Sequence, residues 1–430
     1  MVLGAGFAGV AFMDALWEAL GPQPRIDLRL IDRNNFKLFT PLLYQVATGL
    51  VSPDNISYPV RRRTRRRGAR FQESLVQGID LEARRVLTDD GPVPYDTLVV
   101  ALGSVTNFFG MQDVARHALT LKTLGDGITV RNRLIDAFEE ADVTTDPERR
   151  RALLTFNIVG AGATGVELAT AIDNLINLVL LRDYPGINAE EVRIRLIEAL
   201  DRAVPEMSEG VCRFTAKRLA ERHIELRLGD PVVGLEGDRL RTRSGNLLPP
   251  GTTIWTAGVR ANPVARGLPV EHGQGGRVVV TDTLQLPGHP EVFCVGDNAL
   301  ITDPATGRPV PPNAPAAIQM AQATARNVAR RLRGEPLQPF RYHFKGELLS
   351  LGRNHAVLHL GGLLLDGFPA WVVWRAFYLT ELMGMENRVG VMADWAFAYL
   401  SRLRESGRLI CEPALAEEEG VMPTLAGRMR

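Results

Sequence analysis

Two strand–turn–helix modules of the same spacing constrain this chain more than any other feature: Gly4-x-Gly6-x-x-Gly9 and Gly160-x-Gly162-x-x-Gly165. The bare pattern is weak in a chain with 41 glycines, so context decides. Val2 and Leu3 precede the first turn, and Val10, Met13, Ala15, Leu16 and Leu20 follow it at helical spacing. Phe156 to Val159 precede the second, and a helical pattern runs from Val166 to Leu181. In each module a second strand ends in an acid. The run from Ile26 to Ile31 leads to Asp32, with Arg33 beside it, and Arg193 to Ile197 leads to Glu198. The glycines serve a tight turn, close approach of backbone N–H groups to a pyrophosphate, and close helix-to-strand packing, while the acid meets a ribose diol. The phosphates then lie at the positive end of a helix. The bland alternative is a pair of tight turns that only serve packing.

These pieces predict an α/β chain with two Rossmann-like dinucleotide-binding domains. Thr97 to Ala101 reads as a buried strand ending at Gly103, and Glu291 to Val295 as another ending at Gly296 and Asp297, where a carboxylate could hold ribityl hydroxyls. Both support FAD in the first module. Glu198 would accept hydrogen bonds from a 2′-hydroxyl and repel a 2′-phosphate, so NADH is expected over NADPH in the second. The layout is discontinuous: residues 1–107 and 260–335 for FAD, 108–259 for NADH, 336–412 as a C-terminal membrane-docking segment and 413–430 as a tail. Ser104 to Gly110 and Thr256 to Pro263, with Gly258 among them, would be the crossings.

Fifty basic residues nearly cancel 49 acidic ones, so overall charge points to no nucleic-acid partner. Cys212, Cys294 and Cys411 are far apart and odd in number, which indicates neither a disulfide framework nor a metal site and fits a reducing, cytosol-facing location. No secretory leader is visible. The best apolar run, Val372 to Met385, is broken by Arg375 and Glu381, so no membrane-spanning segment is expected. Only three residues precede Gly4 where a strand normally has five or six, and the true start is expected upstream.

At this point the residues resemble a known family, the type II NADH:quinone oxidoreductases, over nearly the whole chain. The resemblance rests on GAGFAG at Gly4, DRNNFKLFTPLLYQVATG from Asp32 to Gly49, ALGSVTNFFG from Ala101, GAGATGVELA from Gly160, TAGV from Thr256 and GDNA from Gly296. It implies a single-chain FAD enzyme on the cytoplasmic face of a membrane, which passes hydride from NADH to flavin and two electrons to menaquinone or ubiquinone without pumping protons. It implies Glu167 near nicotinamide and flavin, where the plain reading is a helix-start carboxylate, and Gln45 and Thr48 along the flavin ring. The family's paired-glutamine quinone motif, AQxAxQ in form, aligns with Ala314 to Gln319. Its first glutamine is Pro315 here, which has neither side-chain amide nor backbone donor. Gln319 survives. Quinone identity, or quinone use itself, is the point this departure opens.

Two other functions compete. A sulfide:quinone-type reductase needs redox cysteines flanking the flavin, and Cys212 and Cys294 form no convincing pair. A redox sensor would hold NADH and turn over poorly. Disulfide reductases are excluded, because Phe36 to Gly49 contains no cysteine.

Near the C-terminus, Trp371, Trp374 and Trp395 are interleaved with Arg375, Arg388, Arg402 and Arg404. Met392, Trp395, Ala396, Tyr399 and Leu403 form one apolar stripe, with Asp394 and Arg402 off it. Read alone, the stripe suits ordinary core, a homodimer contact or an interfacial helix; the resemblance implies the last. The arginines from Arg61 to Arg67, extended by Arg70, suit acidic lipid headgroups, nucleic acid or a solvated helical face, the last favoured because no aromatic residues are interleaved. Ala414 to Arg430, with Glu417 to Glu419, reads as a loose tail.

Overall fold

The structure is a computed structural model that describes residues 1–21 and 26–400. Arg402, Leu403, Arg404, Cys411 and the tail therefore lie outside the described residues.

Two parallel sheets repeat one plan. In the six-stranded sheet the order is Gln285–Leu286, His289–Cys294, Leu98–Val100, Val2–Leu3, Arg29–Asp32 and Arg70–Glu73, with Gln285–Leu286 antiparallel. In the five-stranded sheet it is Leu119–Thr120, Thr252–Trp255, Thr155–Val159, Arg193–Ile197 and Glu225–Arg227. Strands such as Leu98–Val100 and Thr155–Val159 are buried at every position, as expected where helices cover both faces. In both sheets the strand that feeds a glycine turn is interior, with the acid-ending strand on one side. Its neighbours come from later parts of the chain on the other side, which opens a crevice at the carboxyl ends.

The second strand is shorter than the sequence suggests. It starts at Arg29 rather than Ile26, because Asp27 turns outward to pair with Arg70 on the adjoining strand. The first glycine-turn helix is Phe7–Leu20, packed along Ala314–Leu332. The second, Ala163–Leu175, continues through a π-helical turn, Ile176–Leu180, to Asp183. Ala163–Asp183 is long and apolar enough to cross a membrane, but most of it is buried as a core helix.

Ser104–Thr106 and Val259–Ala261 pair antiparallel, so the two crossings between the sheets form one ribbon. After Ala314–Leu332 comes a three-stranded antiparallel sheet, Glu347–Ser350, Ala356–Leu360 and Leu363–Asp366, then two helices, Gly367–Glu381 and Met385–Leu400. Val357, Trp374, Val391 and Trp395 share a core cluster with Leu42, Val46 and Ile172, so this segment is packed into the body of the protein.

The expected C-terminal stripe is divided between two faces. Trp395 and Asp394 both point inward, Trp395 donating from Nε1 to Gln45 Oε1 (2.8 Å) and Asp394 accepting from Ser52 N–H (2.8 Å) and Asn55 Nδ2 (2.7 Å). Met392, Ala396 and Tyr399 face outward with Met385, Val389, Phe397 and Leu400. Partners found elsewhere in the chain drew Trp395 and Asp394 inside. The arginine run forms a helix, Val60–Arg66; Arg63 and Arg67 bind Asp14, and Arg62 binds Glu386.

Candidate functional site

The first turn is as tight as its glycines require. Gly4 has φ +99°, and a Cβ there would meet Ala101 O at 2.2 Å; a Cβ on Gly9 would meet Gly4 O at 1.8 Å. Gly6 instead borders open space, and no side chain caps the helix it opens. Asp32 Oδ2 accepts from Ala5 N–H (2.6 Å) and Oδ1 from Asn34 N–H (2.8 Å), while burial raises its carboxyl against those hydrogen bonds. Arg33 is exposed.

The second turn copies the first. Gly160 has φ +104°, a Cβ on Gly165 would meet Gly160 O at 1.9 Å, and Glu198 Oε2 accepts from Ala161 N–H (2.7 Å), as Asp32 does from Ala5. One difference was not visible in the sequence. Glu206, 3.4 Å from a Cβ on Gly162, accepts from Ala163 N–H (3.2 Å) and so sits where an anionic ligand would bind. No local motif marks it.

At the carboxyl end of the first sheet, Gly103 adopts φ +70° beside open space and Gly296 adopts φ +66°. Asp297 Oδ2 accepts from Ser104 Oγ (2.5 Å), which accepts from Lys122 Nζ (2.8 Å). Burial lowers the Lys122 ammonium and Asp297 partly restores it. Lys122 carries no sequence signal beyond its place before a capping box, Thr123 with Asp126. Among the described residues, Asn298 Nδ2 is buried with no partner. An uncapped helix end, a glycine facing open space and an unpartnered buried amide together fit a dinucleotide. Gly258 adopts φ +127° in the ribbon, near the Phe109 ring.

Glu167 is buried, and its Oε1 accepts from Ser350 N–H (3.1 Å). Burial pushes its carboxyl up to about 8, only partly offset by that bond. Burial and the Glu167 charge together raise the hydroxyls of Tyr44 and Tyr378. Tyr44 O–H accepts from Gln45 Nε2 (3.0 Å), which leads through Gln45 Oε1 to Trp395. Thr48 Oγ1 donates to Tyr44 O (3.0 Å).

Beside this network is a cavity of about 350 Å³. Tyr44, Gln45 and Thr48 form one wall, Asn174 and Leu178 of the long helix a second, and Trp371, Trp374, Arg375, Trp395 and Tyr399 a third. Neither Glu167 nor Gln319 lines it, though Ser350, which holds Glu167, does. Gln319 exchanges two hydrogen bonds with the His343 backbone, both 2.9 Å. Pro315 lies in the first turn of Ala314–Leu332, where a missing N–H is tolerated.

Cys294 is buried in the first sheet, its thiol pushed up to about 12, and Cys212 is buried in a different core cluster. Among the described residues they form no pair, and no metal cluster occurs.

Residues 1–321 match the family model for pyridine nucleotide-disulphide oxidoreductases, and residues 344–402 match the NDH2 C-terminal domain. The type II NADH:quinone oxidoreductase Ndh of Mycobacterium tuberculosis is 34% identical over 420 residues, covering 94% of this chain and 88% of that protein. The chain belongs to the type II NADH:quinone oxidoreductase family. NdhA of the same organism is 33% identical, over 94% of this enzyme and 87% of NdhA. Among solved structures, NDH2 from Plasmodium falciparum in complex with NADH superimposes at TM-score 0.84 and 18% identity, over 93% and 98% of the two chains. The sulfide:quinone oxidoreductase of Aquifex aeolicus, at 0.69 and 20% identity over 94% and 95%, shares the fold.

Proposed function

We propose that this enzyme oxidises NADH, passes the electrons through FAD and reduces a quinone in the tryptophan-walled cavity, without pumping protons. FAD supplies the redox chemistry, accepting hydride from nicotinamide and releasing two electrons to the quinone. The uncapped end of Phe7–Leu20 would hold its pyrophosphate, Asp32 its ribose and Asp297, which the Ser104–Lys122 pair orients, its ribityl chain. The second turn would hold NADH, with Glu198 to meet its 2′-hydroxyl and Ala163 N–H, now bonded to Glu206, to meet its pyrophosphate. Glu167, protonated at neutral pH, holds a proton at its carboxyl one hydrogen bond from the cavity wall.

The observation that carries this reading is the cavity's position, walled by the Tyr44–Thr48 turn expected at the flavin and by the C-terminal helices. Anaerobic stopped-flow tests it. NADH should bleach the flavin absorbance, and menaquinone or ubiquinone analogues should restore it. A flavin that stays oxidised under NADH ends the proposal, and one that bleaches but is not restored leaves only an NADH-holding sensor.

The face beside the cavity supports attachment to a membrane, which we assign to the cytoplasmic side. Val372, Val373, Phe377, Met385, Val389, Phe397 and Leu400 are all exposed on the two C-terminal helices, an apolar patch of the kind that enters a lipid interface. Leu360 and Leu363 flank an exposed Gly361–Gly362 turn and add to it. A homodimer is the competing use of this face. Co-sedimentation with vesicles by monomeric protein favours the membrane, and a detergent-sensitive dimer that ignores vesicles favours the second copy.

A further inference from the structure

We propose that Arg375 binds a carbonyl oxygen of the quinone and stabilises the negative charge that oxygen gains as the ring is reduced; this rests on the cavity being the quinone site. Arg375 lies on Gly367–Glu381 and lines both the cavity and the outer recess next to it. Its guanidinium carbon is 3.9 Å from the Trp371 ring centroid and 4.5 Å from that of Trp395. Ring faces attract the charge of a guanidinium without taking up its N–H donors as a carboxylate does. Among the described residues no acceptor and no carboxylate is bonded to Arg375, which is half-buried, and its Nε is buried without a partner. A cation held without an acid is costly unless a ligand supplies an acceptor.

The other polar groups of the cavity narrow what that ligand is. Gln45 and Tyr44 are bonded to one another, and Trp395 Nε1 is spent on Gln45. Among the described residues the other charged groups lining the cavity are Arg182 and Arg353, the latter against the Tyr399 ring at 4.6 Å, with no carboxylate, and Trp374 Nε1 on the same wall is a second donor buried without a partner. Gln319 is committed to His343. An apolar, aromatic slot with a free, planar cationic donor suits a flat ring that carries acceptors and no donors. A quinone is such a ring. The hydride of NADH, two electrons and one proton equivalent, together with one further proton taken up from solvent converts its two C=O groups to O–H, leaving NAD⁺, and the charge passing through oxygen on the way is opposite in sign to the guanidinium. No bond to the protein forms or breaks.

The test uses the FAD-loaded enzyme in detergent, with Arg375→Leu, Arg375→Gln and Arg375→Lys. Flavin reduction by NADH should match wild type in all three. Re-oxidation by the outer-sphere acceptor hexaammineruthenium(III), which has no carbonyl to hold, should also match. With a short-chain quinone analogue, kcat/KM should fall roughly 10- to 100-fold in the two neutral variants, the range for losing a charged hydrogen bond, and Arg375→Lys should recover most of it. If Arg375→Leu does not retain flavin, Arg375→Gln against Arg375→Lys carries the comparison. Unchanged quinone kinetics in the neutral variants, an equal loss with both acceptors, or no recovery with lysine overturns the assignment. A wild-type flavin that quinone does not re-oxidise overturns the underlying reading instead. Loss of vesicle binding with unchanged rates on the soluble analogue would make Arg375 a lipid contact and likewise refute its role here.

Discussion

Asp32 and Glu198 do the same job in two places, each closing on the N–H of the residue after the first glycine of its turn. Replacing Glu198 by alanine removes the charge that opposes a 2′-phosphate. The ratio of NADPH to NADH efficiency, read from flavin reduction, should rise by about 10-fold or more, given that a single charge contact of this kind is worth on the order of 1–2 kcal/mol. Glu206→Gln should lower KM for NADH severalfold, because a carboxylate no longer competes for the end of Ala163–Leu175; an unchanged KM would mean Glu206 moves aside at no cost. Glu167 carries a pH signature. Its carboxyl lies near 8 when folded against 4.5 when free, so folding favours the protonated form. The stability it contributes is complete below about pH 4.5 and is lost as pH rises through about 8. Glu167→Gln should therefore gain on wild type by up to a few kcal/mol between pH 5 and 9, seen as a growing difference in Tm. A constant difference across that range would place the carboxylate in water.

At the scale of elements, the glycine turns set how near a helix can come to its sheet. Gly9→Ala puts a methyl within 1.8 Å of Gly4 O, with no flexible side chain to yield, so Phe7–Leu20 must move out. Purified Gly9→Ala should carry little or no FAD. The last helix is anchored differently. Asp394 accepts from Ser52 N–H and Asn55 Nδ2 from inside Met385–Leu400, and Asp394→Ala removes both bonds. A loss of about 1–3 kcal/mol is expected, with quinone reduction impaired more than flavin reduction, since Trp395 on the same helix is bonded to Gln45. The helical period of this segment was readable from its residues, but its inward face was not. Trp395 was expected on the stripe and Asp394 off it, whereas both turned inward to partners about 340 residues earlier. The arginine helix shows the same limit: its seven-residue run is obvious, and the acid that receives Arg63 and Arg67, Asp14, belongs to another helix.

For the molecule as a whole, the C-terminal segment behaves as part of the core. Leu349, Val357, Trp374 and Val391 pack with Leu43, Leu168 and Ile172 in one cluster, so deleting residues from 344 onward should expose that surface and yield insoluble protein lacking flavin. Soluble, flavin-loaded protein after that truncation would instead make the segment a detachable anchor. The sequence by itself determined the two dinucleotide modules, because a tight turn, a pyrophosphate cradle and a ribose acid are all specified within about thirty residues of backbone. It also named Glu167, Asp297 and the C-terminal helices as the places to look. Only the tertiary structure decided that Glu167 is buried against Ser350, that Gln319 is spent on His343, that Lys122 reaches Asp297 through Ser104, and that Arg375 lies against two indoles with no carboxylate partner among the described residues. Local spacing encodes what a few neighbouring residues do together, whereas burial and hydrogen-bond satisfaction depend on which distant segment arrives, and that is settled when the chain packs.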